Sequence, residues 1–134
     1  MIARKVHIRN WDIRFFFSFD ENSVESITDA LVWAVAPNSI VTRVLESVLS
    51  GRPDEGFCFS NPSIRRTVAG IGLTTSGPEV LNSTVHEIVH IAQHISEEDE
   101  IDPESEEFAY LCGDISSAVS DIVCELSCPH CRPK

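Results

Sequence analysis

The order of hydrophobic periodicities constrains this chain's fold most: an extended pattern followed by two helical ones, then the same succession again. Lys5 to Phe19 is rich in β-branched and aromatic residues and predicts extended chain, folded back at Asn10-Trp11-Asp12. Asp20 to Ser23 supplies capping residues, and Val24, Ile27, Leu31 and Val35 then recur at helical spacing until Pro37. A second helix is expected from Pro37 to Leu49, with Ile40, Val44, Leu45 and Val48 on one face and Gly51 as its C-cap. Strands are expected at Gly56 to Ser60 and Arg66 to Thr75. A helix should follow over 82–95, and a last one over 103–126 with Asp102 as N-cap and Pro103 at its first position. This succession predicts an α+β fold in which a small, mostly antiparallel sheet packs against about four helices.

At 134 residues the chain is expected to form a single domain, 1–134, around a modest core. No apolar run in Met1 to Phe19 has the length of a secretory signal, and Leu31 to Ala36 is too short to span a bilayer. The expectation is a soluble, cytoplasmic protein with no membrane partner. The five cysteines form an odd set, for which reduced thiols are the default. The net charge of -11 is unevenly placed: from Thr67 to Cys131 there is no Lys or Arg but thirteen acidic residues, whereas residues 1–66 carry eight charges of each sign. Such a half-chain repels phosphate backbones, which argues against a nucleic-acid partner, and it suits a cation or a basic substrate.

Chemistry concentrates in His86-Glu87-Ile88-Val89-His90, an H-E-x-x-H motif inside a predicted helix. Residues four apart share a helix face, so both imidazoles can reach one tetrahedral Zn²⁺ at about 2.0–2.1 Å. Glu87, one position round the helix, stands beside the ion's open site, where it can act as general base towards water. A catalytic zinc normally has three protein ligands, so a further donor is required.

Here the chain resembles the gluzincins, metallopeptidases whose third zinc ligand is a glutamate on the following helix. Glu106-Glu107-Phe108-Ala109 is similar to the Glu-Gly-Phe-Ala segment of their aminopeptidase branch, with Glu107 in place of the glycine. The span from His86 to Gly113 also resembles small metallopeptidase-like proteins of bacteriophages and mobile elements, through Glu106, Ala109-Tyr110-Leu111 and Gly113. The resemblance implies a minimal zincin-like domain, one zinc ion, Glu106 as third ligand and a peptide or protein as substrate. Helical arithmetic agrees if the motif helix ends near Ile95. His90 and Glu106 would then lie about 8 Å and 6 Å below the connecting turn. Ala109, Gly113 and Ser117 would give Glu106 a face of small residues, allowing close approach of the two helices.

Glu107 and His94 compete with Glu106, His94 being better suited to a supporting or surface role. Tyr110 is expected in the core, with an oxyanion donor as the alternative. Asp114 or Asp121 could orient a ligand imidazole. The strand over 66–75 is a candidate substrate-binding edge, where Gly70 and Gly72 would admit an added strand, although ordinary sheet core is an equal reading. Cys128-Pro129-His130-Cys131 has the C-x-x-C form but lies in a short tail, 127–134, where a redox helix has no room; an inert tail is expected, with a metal clip that includes Cys124 as the alternative. The leading expectation is a zinc-dependent metallopeptidase. The alternatives are a domain stabilised by structural zinc and an acidic protein-interaction module.

Overall fold

The computed structural model describes residues 1–50, 56–73 and 76–127. Its first hairpin joins β1 (Ile2–Ile8) to β2 (Trp11–Phe19) through Arg9 and Asn10, both left-handed at φ 50° and 63°. Two such residues make the turn whose twist matches paired strands. The fold-back therefore comes one step earlier than expected, and Trp11, fully buried, already belongs to the sheet. A bulge at Ser18, φ 57°, breaks the alternation of β2. Trp11, Ile13, Phe15 and Phe17 face one core, while Phe16 and Phe19 face the other.

After a short 3-10 turn at Glu21–Ser23, capped by Asp20, come α1 (Val24–Trp33) and α2 (Asn38–Leu49). Helix α1 stops before Val35, which is exposed and left-handed, so Val35 is not part of the helical stripe. The expected cap at Gly51 lies outside the described residues. The second hairpin, β3 (Gly56–Asn61) and β4 (Arg66–Gly72), leads to α3 (Gly77–Asp99) and α4 (Glu106–Ser127).

The four strands run in the order β1-β2-β4-β3; the outer pairs are antiparallel and the central β2–β4 pair is parallel. This is the expected α+β fold, with two of its three strand pairings antiparallel. It corrects one expectation, however: β4 lies inside the sheet, so it offers no edge, and β3 is the edge strand on that side. Gly70 serves packing instead, because a Cβ there would collide with the Phe57 ring and stand 2.9 Å from that of Phe19.

Helices cover both faces. One core joins α1 and α2 to Phe16, Phe19, Phe57 and Val68; the other joins α3 and α4 to Trp11, Ile13, Phe15, Phe17 and Ile71. Helix α3 lies over β3 and β4, and α4 over β1. The start of α3 meets the end of α4, since a Cβ on Gly77 would stand 2.6 Å from the Ser127 carbonyl oxygen, so the pair is antiparallel. Among the described residues no helix is long and apolar enough to cross a membrane.

Candidate metal centre

Helix α3 is well specified at both ends. The Ser76 hydroxyl accepts from the Glu79 amide at 3.3 Å, Pro78 occupies the first turn, and Glu100 at φ 55° closes the C-terminus by donating its amide to the Ser96 carbonyl. Val80, Thr84, Ile88, Ile91, Ala92 and Ile95 form its buried stripe. His86, Glu87 and His90 therefore sit in the middle of a rigid, anchored helix.

The two imidazoles converge: His86 Nε2 and His90 Nε2 are 3.1 Å apart, with the rings edge to face at 4.7 Å. Two nitrogens on one tetrahedral zinc stand about 3.3 Å apart, given bonds of about 2.0–2.1 Å. The pair thus has the spacing that a shared ion needs. At about 100° per residue, His90 lies about 60° and His86 about 100° round from Glu87, on the flank opposite Ile88 and Ala92.

Glu87 points the other way from solvent, at only 6% exposure, against the edge strand. A Cβ on Gly56 would lie 2.9 Å from Glu87 Oε1 and 2.9 Å from the Gly70 carbonyl, so the glycine leaves room for the carboxylate. Burial raises the Glu87 carboxyl above its ordinary pKa, with His86 opposing. A carboxyl tuned in this direction is a better proton acceptor than a solvated one.

His94 continues the face and is half-buried on β3. Its Nδ1 lies 2.6 Å from Ser60 Oγ, which is 2.7 Å from Thr67 Oγ1, and Cys58 Sγ is 4.0 Å away. Burial lowers the His94 pKa, outweighing Glu97, and holds the ring towards its neutral form. The Cys58 thiol is pushed well up by burial and by Glu87, so it is neutral. His94 thus ties α3 to the sheet through Ser60. Gly56, Cys58 and Ser60 escaped the sequence reading, because only the β3–α3 contact gives them significance; a glycine opening a strand was the one available signal.

Glu106 does not join the histidines. It is the first residue of α4 and is exposed, while nine residues of helix, about 14 Å, separate His90 from the end of α3. The equal heights inferred from sequence fail because α3 runs on to Asp99 and α4 begins only at Glu106. Asp102 instead shapes the preceding turn, accepting from the Glu104 amide at 2.9 Å, and Ser105 Oγ accepts from the Phe108 amide as the cap of α4. Ala109, Gly113 and Ser117 also face solvent, and a Cβ on Gly113 would meet nothing within 4 Å. Helix α4 packs through Leu111, Ile115, Val119 and Ile122.

The other candidates are likewise placed. Glu107 pairs with Arg9 at 2.9 Å, and Asp121 pairs with Arg4 at 2.7 Å rather than with an imidazole. Asp114 is exposed, and Tyr110, expected in the core, is 68% exposed. Cys128, His130 and Cys131 lie outside the described residues. Among the described residues no group of three or more His, Cys, Asp or Glu has an arrangement able to hold a metal. Comparison with models of known families, with characterised proteins and with solved structures gives no match.

Proposed function

We propose that this protein is a zinc-dependent hydrolase acting on peptides, in which His86 and His90 supply two ligands of the ion, no third protein donor standing with them among the described residues, and Glu87 is the general base. One observation carries the reading: two Nε2 atoms 3.1 Å apart on an anchored helix, with a buried carboxyl of raised pKa at the adjoining position. Zinc bound there would supply Lewis acidity, acidifying water and polarising a carbonyl. Glu87 accepts the proton and hands it to the leaving amine. Gly56 leaves room for that carboxylate between α3 and the edge strand. Edge strand β3, directly under α3, is the place for an extended peptide to add by strand pairing.

A purely structural zinc is disfavoured because both histidines belong to one exposed helix flank, where an ion cross-links nothing. A metal-free acidic interaction module is favoured by one feature, the absence of Lys and Arg from both α3 and α4. Zinc titration of chelator-treated protein separates these readings. The hydrolase requires stoichiometric binding that His86→Ala and His90→Ala abolish, and peptide cleavage that Glu87→Gln abolishes while zinc binding persists. Absence of stoichiometric zinc would leave the interaction module.

A further inference from the structure

The cations of this acidic protein are sorted by sheet face. Arg4, Arg9 and Arg65 each pair with a carboxylate of the α3–α4 layer, Asp121, Glu107 and Asp99 respectively, at 2.7–2.9 Å. Lys5, Arg14 and Arg66 lie on the opposite face, and none has a carboxylate partner among the described residues. They gather at Trp33, the last residue of α1. The Arg14 guanidinium carbon is 4.0 Å from the Trp33 ring centroid and that of Arg66 is 4.9 Å away. Arg66 also donates to the Trp33 carbonyl at 2.7 Å, so it caps the helix end, which leaves Arg14, stacked on the Trp33 ring, and Lys5 as the cations facing the cleft.

This arrangement works against stability. Lys5 and Arg14 are direct cross-strand partners in the β1–β2 ladder, and like charges placed opposite each other destabilise a hairpin. Two guanidiniums on one indole add further repulsion. Among the described residues the carboxylate that lines the same space, Asp12, is engaged with His7 at 2.9 Å. Lys5, Arg14, Asp12 and Trp33 line an open cleft of about 290 Å³ between the first hairpin and α1.

We infer that this cleft binds a small phosphate monoester. An anion shared by Lys5 and Arg14 removes the repulsion between them, and a planar guanidinium already oriented by Trp33 matches two phosphate oxygens at once. The cleft is at the small end of ligand sites, which typically hold about 300–1,000 Å³. A small ligand also fits the charge balance. A net charge of -11 repels a long polyanion, whereas a single phosphate meets Lys5 and Arg14 with one carboxylate, the His7-paired Asp12, in the same cleft.

The test is an amide NMR titration of the whole chain with phenyl phosphate and with inorganic phosphate, ionic strength being held constant with sodium chloride. The expected result is saturable shifts at Lys5, Arg14 and the Trp33 indole. Lys5→Gln, on an exposed strand position, and Arg14→Gln should each weaken binding by about tenfold, the usual loss of one charge-assisted hydrogen bond. Saturable shifts confined to another surface, shifts unaffected by either substitution, or no saturation would overturn the proposal. Tighter binding of a single-stranded oligonucleotide at the same residues would overturn the choice of a small ligand.

Discussion

Replacing Glu87 by Gln should stabilise the protein while abolishing the chemistry assigned to it. The Glu87 residue is 6% exposed, no hydrogen bond or ion pair holds its carboxylate among the described residues, and burial disfavours its charged form. Glutamine has nearly the same shape, so no cavity opens; the change removes the charge and exchanges one acceptor oxygen for an N–H donor group. Leaving a buried polar group unsatisfied costs about 1–3 kcal/mol, and more for a charged group. Since a little of Glu87 reaches solvent, a gain of about 1–2 kcal/mol at neutral pH is expected. For a chain of this length that corresponds to a rise of roughly 3–8 °C in Tm. Calorimetric melting of both proteins in chelator, where no ion can bias the comparison, measures it. A Tm equal to or below that of the parent would show that the carboxylate has a stabilising partner, and its reading as a solitary base, kept at the expense of stability, would fail.

Gly70→Val should destabilise by about 1–3 kcal/mol, the usual cost of overpacking, because its side chain would enter the rings of Phe57 and Phe19; urea denaturation measures this. Cys124, which is exposed, should react with a thiol reagent at pH 8 in the folded protein, whereas the half-buried Cys58, its thiol strongly raised by desolvation, should react far more slowly until the chain unfolds; mass spectrometry of the labelled peptides distinguishes them. Hydrogen bonding from Arg4 keeps the Asp121 carboxyl below its ordinary pKa. The Asp121 carboxyl should therefore titrate lower in the parent than in Arg4→Gln, and the stability that it contributes, present above the unfolded value, should be lost only as pH falls through the lower folded one. Side-chain NMR checks the shift.

Local signals were legible where the chemistry is local. Asn10 announced the hairpin, Asp20 and Ser23 the first cap, and the i, i+4 spacing of His86 and His90 their convergence. The helix ends around 95–105 were not, because acidic residues suit a helix surface as well as a loop. Glu97 to Asp99 extend α3, while Asp102 and Ser105 divide the capping role that Asp102 seemed to hold alone. That shift of a few residues leaves about 14 Å of helix between His90 and the turn that leads to Glu106. Strand order was illegible for a different reason. The same β-branched run from Arg66 serves at an edge or at a centre, and only the pairing of β2 with β4 decides. Glu87 shows the limit most clearly: the motif names its role, but its burial depends on Gly56, thirty-one residues away.

The parallel β2–β4 pair also governs how the chain must assemble. Each hairpin closes locally, Ile8 against Trp11 and Asn61 against Arg66, but the seam joins Ile13 to Thr67, fifty-four residues apart. Loop closure over that distance must precede the contacts that reward it, so the seam is the slow event of folding. Until it forms, the consecutive aromatics of β2, Phe15 to Phe17, lie on an open strand edge able to pair with another chain. Refolding yield should therefore fall as protein concentration rises, even though the finished sheet keeps that strand in its interior.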